Sequence, residues 1–122
     1  MISRDDLEAF GYYNENVLPK RDDYSKWVET MIVTEGETRL IENTLGLVGE
    51  AGEVAEKIKK RLRDGSEVKP YEIIKEIGDV VFYATALANA FGSSLADVMK
   101  VNQDKLNSRK ERGTIRGSGD NR

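Results

Sequence analysis

Residues 46–56 read Gly-Leu-Val-Gly-Glu-Ala-Gly-Glu-Val-Ala-Glu, and residues 76–83 read Glu-Ile-Gly-Asp-Val-Val-Phe-Tyr. Each stretch holds a pair of acidic residues three positions apart, Glu50 with Glu53 and Glu76 with Asp79, within a pattern of apolar residues that has helical spacing. A third acidic residue, Glu56, ends the first stretch, and we expect it to be solvated because it lies about 120° round the helix from Glu50. Because residues i and i+3 lie on one face of a helix, each stretch presents a pair of carboxylates on a single face. These two stretches decide both the fold class and the chemistry that we expect of this chain.

The spacing of apolar residues predicts an all-α protein, a bundle of about four to five helices. The only β-like run, Met31-Ile32-Val33, is too short and isolated to begin a sheet. Gly65, Pro70 and Ser94 are typical of a helix end, a first helical turn and an N-cap, respectively. The predicted helices are Ser3 to Asn14, Tyr24 to Met31, Glu37 to Arg63, Tyr71 to Phe91 and Leu95 to Glu111.

Apolar residues on the two longest predicted helices define the faces that we expect to pack. On the helix from Glu37 to Arg63 they recur at gaps of three and four and form one stripe. The next helix has a broad face that we predict to be buried. The stripe comprises Ile41, Leu45, Val48, Gly52, Ala55, Ile58 and Leu62, and the broad face comprises Ile73, Ile77, Val80, Val81, Ala84, Leu87, Ala88 and Phe91.

The length of 122 residues predicts a single domain. We divide it into an N-terminal helical region (1–34), the helices that carry the chemistry (35–112) and a glycine-rich tail (113–122). We expect the tail to be mobile unless a ligand or a neighbour holds it. A domain of this size buries a limited core, so association of subunits is expected as well.

Composition excludes several kinds of chemistry. The chain contains no cysteine and no histidine, so thiol catalysis, imidazole acid–base catalysis and zinc sites built from those residues are ruled out. A metal site must then use oxygen ligands, which favours Mg²⁺, Mn²⁺ or Ca²⁺. The formal net charge of −3 argues against a stable nucleic-acid partner. Without a signal core or an apolar stretch of membrane-spanning length, the sequence predicts a soluble, cytoplasmic protein with no membrane partner.

The two acidic pairs are Glu50 with Glu53 and Glu76 with Asp79. Their spacing alone is equally typical of a solvated helix face. Their position is more informative, because each pair borders apolar residues on the helical wheel. Consecutive helices joined by a short loop usually pack antiparallel, so the pairs can converge on one cleft. Four converging carboxylates repel one another unless protons or cations neutralise them, which suggests a divalent-metal site.

A polar and mostly cationic stripe follows on the last predicted helix, formed by Asn102, Lys105, Arg109 and Arg112. Cations beside a carboxylate–metal cluster suit a polyphosphate ligand. A solvated basic face and contact with a nucleic-acid backbone are the alternatives. Two aromatic residues, Tyr83 and Trp27, are candidates for contact with a sugar or a base, although Trp27 fits a core or subunit-interface position better.

These motifs together resemble the MazG-like nucleotide pyrophosphohydrolases of the all-α NTP pyrophosphatase superfamily. The resemblance rests on Glu-x-x-Glu followed by Glu-x-x-Asp, the surrounding glycines and the run Asn102-x-x-Lys105-x-x-x-Arg109, and it covers about residues 40 to 122. Many members open the first motif with two adjacent glutamates, whereas Gly49 fills the first place here.

The resemblance implies Mg²⁺-dependent hydrolysis of a nucleoside triphosphate between the α and β phosphates, giving the monophosphate and pyrophosphate. Mn²⁺ is expected to substitute for Mg²⁺, a purine deoxynucleotide such as dGTP is the suggested substrate, and the chain is expected to assemble as a dimer or tetramer. The implied metal ligands are Glu50, Glu53, Glu76 and Asp79.

Roles follow from the chemistry of that reaction. A carboxylate must accept the proton of the attacking water, since no histidine is present. We predict that Glu53 takes this role, with Glu50 as the rival. Lys105, Arg109 and Arg112 would hold phosphate oxygens, and Asn102 would orient a phosphate or a sugar hydroxyl. The alternative hypothesis is a non-catalytic helical interaction module whose acidic cleft binds metal without turnover.

Overall fold

The computed structural model describes residues 21–122, and these residues form four α-helices. They are α1 (Asp23–Met31), α2 (Gly36–Asp64), α3 (Pro70–Ala90) and α4 (Leu95–Glu111). No strand occurs between residues 21 and 122. The prediction of an all-α fold is therefore confirmed. The predicted helix from Ser3 to Asn14 lies outside the described residues.

Local chemistry explains where α2, α3 and α4 begin and end. Gly65 ends α2 in the left-handed conformation, with φ of 66°, a region that glycine enters without steric cost. Pro70 occupies the first turn of α3, where its missing N–H costs no hydrogen bond. The hydroxyl of Ser94 accepts a hydrogen bond of 3.1 Å from the backbone N–H of Asp97 and caps α4.

Asp22 caps α1 and also ties it to α4. Its carboxylate accepts hydrogen bonds of 2.9 Å from the N–H and the hydroxyl of Ser25, and another of 2.9 Å from the N–H of Ala96. Burial alone would raise the pKa of Asp22, but these hydrogen bonds outweigh it and hold the pKa below its usual range. Asp22 therefore stays ionised and fixes the start of α4 against α1.

Helices α2 and α3 pack as an antiparallel hairpin. Three contacts show the direction: Arg39 with Ala86, Gly46 with Tyr83, and Lys57 with Glu76. Residues later in α2 contact residues earlier in α3, so the two helices run in opposite directions. The face of α2 that packs on α3 begins with two buried polar residues, Arg39 and Asn43. This arrangement brings the first acidic stretch of the sequence against the second.

A buried ion pair joins α1 to this hairpin. Both terminal nitrogens of Arg39 bond the two carboxylate oxygens of Glu29, one of them at 3.0 Å, and Arg39 also donates to the carbonyl of Ala86 at 3.0 Å. Nearby, the amide of Asn89 donates to the carbonyl of Ser25 at 2.9 Å. Polar contacts thus replace much of the apolar packing expected where three helices meet.

The predicted apolar stripe of α2 is solvent-exposed in the single chain, which corrects the expectation that it packs. Val48 and Leu62 expose 65% and 81% of their surface, and Ile77 of α3 exposes 47%. On the helical wheel the stripe lies about opposite Glu50, whereas α3 packs on the face that Glu50 occupies. Within residues 21–122 only Val28, Ala86 and Ala90 are buried apolar residues.

Candidate functional site

Three of the four predicted carboxylates converge between α2 and α3. One oxygen each from Glu50, Glu76 and Asp79 lies within 4.8 Å of the other two. Glu50 and Glu76 are half-buried and Asp79 is exposed, so the group sits at the edge of the helix interface. We call these three residues the acidic cluster.

The carboxylates of the acidic cluster repel one another. Partial burial raises the pKa of Glu50 above its usual value, and hydrogen bonding with Glu76 and the negative charges of Asp79, Glu76 and Glu53 raise it further. Lys57 provides one nearby cation, with its Nζ 3.8 Å from a carboxylate oxygen of Glu76. The site therefore favours an added positive charge.

Glu53 lies outside the acidic cluster. It is exposed on α2, three residues beyond Glu50, and its charge still contributes to the raised pKa of Glu50. Hence Glu53 is near the cluster, but it is not among the residues whose carboxylate oxygens lie within 4.8 Å of one another. Its carboxylate is free to take a role different from that of the three clustered groups.

The donor set suits a hard divalent cation. All three clustered ligand atoms are carboxylate oxygens, the type that Mg²⁺ and Mn²⁺ prefer, and their mutual repulsion is relieved when a cation binds. Mg²⁺ commonly binds through one or two carboxylates while keeping several waters, so a partly exposed cluster is adequate. Glu50, Glu76 and Asp79 are the residues that would hold the ion directly.

An aromatic row runs beside the acidic cluster. Its ring centroids lie 5.6 Å apart for Tyr24 and Trp27, 5.9 Å for Trp27 and Phe82, and 5.4 Å for Phe82 and Tyr83. Burial raises the pKa of Tyr24, and the charge of Asp79 raises it further, so the row begins near the cluster. The predicted aromatic candidates Trp27 and Tyr83 thus belong to one surface, and Trp27 leaves 48% of its area exposed.

The cationic stripe of α4 is held by the C-terminal tail. Arg109 is buried and donates to the carbonyl of Asp120 at 2.8 Å. The Asp120 carboxylate lies 3.4 Å from both Lys105 and Arg109, and these two cations lower its pKa. Arg112 donates to the carbonyl of Arg122 at 2.7 Å. The tail was predicted to be mobile unless a ligand or neighbour holds it, and here Arg109 and Arg112 of the same chain bind it.

Asn102 is exposed on α4, where it shares a shallow cleft with Val98, Val101 and Lys105. Among the described helices, α4 packs against α3 and α1 and makes no contact with α2. The cationic stripe and Glu50 are therefore not joined by direct packing of their helices. Their roles toward a phosphate remain predictions.

The sequence analysis missed three residues that border the site. Lys57 was predictable, because it lies one turn beyond Glu53 and on the same face of α2 as Glu50. Tyr24 and Phe82 carry no local signal, since their contact depends on how α1 packs on α3. Only the tertiary arrangement reveals them.

Comparison with known proteins identifies the family. Residues 39–114 match the family model described as the MazG nucleotide pyrophosphohydrolase domain. The chain therefore belongs to the MazG family, as the sequence motifs suggested. The matched residues include the acidic cluster, Glu53 and the cationic stripe of α4.

Two curated relatives are similar to part of this chain. The Gene 37 protein of Mycobacterium phage L5 is 52% identical over 83 residues, which cover 65% of this chain and 73% of that protein. The uncharacterized protein YvdC of Bacillus subtilis (strain 168) is 39% identical over 74 residues, which cover 53% of this chain and 70% of YvdC. No solved structure matches the chain significantly. None of the helices in residues 21–122 has the length and apolar character needed to cross a membrane.

Proposed function

We propose that this protein hydrolyses a nucleoside triphosphate between its α and β phosphates, in the presence of Mg²⁺, and releases the monophosphate and pyrophosphate. The observation that carries the proposal is the convergence of Glu50, Glu76 and Asp79 within 4.8 Å. Membership of a pyrophosphohydrolase family supports the reaction class. Mn²⁺ is expected to replace Mg²⁺, because both take oxygen ligands.

The surroundings of each carboxylate suggest whether it binds the metal or accepts a proton. A bound divalent cation shields the negative charge of the phosphates and makes water a better nucleophile. Glu50, Glu76 and Asp79 would hold the cation. Glu53 remains outside their group and has an oxygen free to accept the proton of the attacking water. Glu50 is the rival base, although its place in the cluster commits it to metal binding.

Substrate contacts are proposed on two surfaces. Lys105 and Asn102 are accessible on α4 and suit phosphate or sugar oxygens. Arg109 and Arg112 donate hydrogen bonds to backbone carbonyls of the tail. These hydrogen bonds must break before either guanidinium can bind a phosphate. On the other surface, Trp27 and Tyr83 of the aromatic row are proposed to contact the base or the sugar. A purine has the largest stacking area, so dGTP is the first substrate to try.

A panel of ribonucleoside and deoxynucleoside triphosphates tests the proposal. We expect pyrophosphate release with Mg²⁺ or Mn²⁺, and none with EDTA. Labelled products should be the monophosphate and pyrophosphate, not the diphosphate and phosphate. If no triphosphate is cleaved and the metal only raises the melting temperature, the chain is a metal-binding interaction module and the proposal is wrong.

Self-association is part of the same proposal. Val48 and Ile58 of α2 and Ile74 and Ile77 of α3 are apolar residues that are exposed in the single chain. Three buried apolar residues are a small core for the region of residues 21–122, so a second copy has apolar surface of this region to cover. The family resemblance implies a dimer or tetramer.

We expect sedimentation equilibrium to give two or four times the chain mass of 13.7 kDa. Val48→Asp places a charge on the exposed apolar stripe of α2 and should weaken association at least tenfold. Lys60→Asp puts the same charge on the exposed polar side of α2 and should leave association unchanged. A monomeric wild-type protein, or equal behaviour of the two variants, would contradict the proposed interface.

A further inference from the structure

Gly46 on α2 lies against the ring of Tyr83 on α3. A Cβ atom added at position 46 would be 2.4 Å from Cε1, 2.5 Å from Cδ1 and 2.7 Å from Cζ of that ring. Nearly equal distances to three neighbouring ring atoms put position 46 over the ring face. The ring therefore lies flat on the α2 backbone, in the volume that any side chain at position 46 would need.

Gly46 is distinct from the other glycines inside these two helices. A Cβ atom at Gly49, Gly52 or Gly78 would meet nothing within 4 Å. A glycine inside a helix costs about 1 kcal/mol relative to alanine, so each one calls for an explanation. Within α2 and α3, only Gly46 has an explanation in the close approach of another side chain.

Helix geometry places the Tyr83 ring beside the acidic cluster. Side chains on a helix lean toward its N-terminus, so Tyr83 covers the turn of α3 that carries Asp79. On the wheel Tyr83 is about 20° from Glu76, and on α2 Gly46 lies one turn before Glu50, about 40° round from it. The Phe82 ring stands edge-on to Tyr83 at an interplanar angle of 88° and limits its movement.

We propose that Gly46 is a positioning residue of this site: its missing side chain lets the Tyr83 ring close one end of the acidic cluster. There the tyrosine hydroxyl contacts the nucleotide held by the cluster. This inference rests on the proposed function for the identity of its ligand. Gly46 touches no substrate atom and acts only through the ring that it admits.

Gly46→Ala is the direct test. The alanine methyl forces the ring to move by roughly 1 Å, because a carbon–carbon contact needs about 3.5 Å. We expect KM for the preferred triphosphate to rise about tenfold, the order of one lost hydrogen bond, with a smaller change in kcat. Gly49→Ala is the matched control, since the same substitution in the same helix meets open space; its KM should stay within twofold.

A double-mutant cycle separates positioning from general damage. If Gly46 acts through the ring, Gly46→Ala has no further effect on KM once Tyr83→Ala has removed the ring. Independent, additive losses would overturn the inference. Melting curves monitored by circular dichroism establish that each variant is folded before its KM is compared.

A spectroscopic readout tests the placement without turnover. The chain contains five tyrosines, and 3-fluorotyrosine labelling gives each a ¹⁹F signal, with Tyr83 assigned through Tyr83→Phe. Added Mn²⁺ should broaden the Tyr83 signal strongly in the wild type, and Gly46→Ala should change both its shift and its broadening. Gly49→Ala should leave both unaltered.

The outcomes distinguish this inference from the proposed function. If no variant or wild-type protein cleaves a triphosphate, the proposed function fails, and the Mn²⁺ effect on Tyr83 decides the placement alone. If turnover is present and Gly46→Ala matches Gly49→Ala in KM and in the ¹⁹F spectrum, the inference fails while the proposed function stands.

Discussion

We expect Glu50→Gln to lower the rate of pyrophosphate release by about 10³-fold at saturating Mg²⁺, the order lost when a charge-stabilising group is removed from an active site. Glutamine keeps the size and shape of the side chain but removes the charge that a divalent cation needs. Glu50 lies at the edge of the α2–α3 interface and shares the acidic cluster with Glu76 and Asp79. Steady-state release of pyrophosphate measures the effect.

The matched control is Glu56→Gln on the same helix. Glu56 is half-buried and pairs with Lys59 and Lys60, away from the cluster, so its substitution should leave the rate unchanged. Without metal, Glu50→Gln should melt at the same temperature as the wild type or higher, because one of several repelling charges has gone. Equal rates for the two glutamine variants would rule out a metal role for Glu50.

Arg39→Gln should destabilise the fold by about 3 kcal/mol, the lower end of what breaking a buried ion pair costs. Burial alone would raise the pKa of Glu29, and the hydrogen bonds and charge of Arg39 outweigh it and lower the pKa. Removing the guanidinium therefore leaves a carboxylate that is only about a quarter exposed without its main partner. Chemical denaturation monitored by circular dichroism measures the loss.

Two further variants check this interpretation. Glu29→Gln combined with Arg39→Gln should recover part of the stability, because no unpaired charge remains. Arg63→Ala breaks an exposed pair with Asp64 and should leave stability almost unchanged. A loss for Arg39→Gln no larger than that for Arg63→Ala would mean that the buried pair does not hold α1 on the hairpin.

Helix positions in residues 21–122 were predictable because their signals are local. Each predicted end lies within one residue of the end observed for α1, α2, α3 and α4. Gly65, Pro70 and Ser94 act through their own backbone or side chain on the adjacent turn, so no distant contact is needed to interpret them.

The packing face of α2 was not predictable in the same way. Its apolar stripe suggested one face, whereas the face against α3 starts with Arg39 and Asn43 and continues to Glu50. Arg39 is buried because Glu29, ten residues earlier, and the carbonyl of Ala86 accept its hydrogen bonds. These hydrogen-bond partners come together only when α1, α2 and α3 pack against one another. The residue type of Arg39 alone therefore predicts exposure, although the side chain is buried.

The site shows the same division between local and distant information. The spacing of residues on α3 predicted that Glu76 and Asp79 share one face. The antiparallel packing of α2 against α3 brings Glu50 close to both of them. Whether Glu53 joins the group depends on the exact angle between the helices, which no sequence pattern records. The tail over Arg109 and the row from Tyr24 to Tyr83 likewise depend on contacts between distant segments.

A Mn²⁺ titration followed by electron paramagnetic resonance tests the central claim, that carboxylates from α2 and α3 together bind a divalent ion. The wild-type protein should bind Mn²⁺ saturably, Mg²⁺ should displace it, and Glu50→Gln combined with Glu76→Gln should abolish binding while the protein stays folded. Equal Mn²⁺ binding by the wild type and the double variant, or no binding by either, would contradict the account.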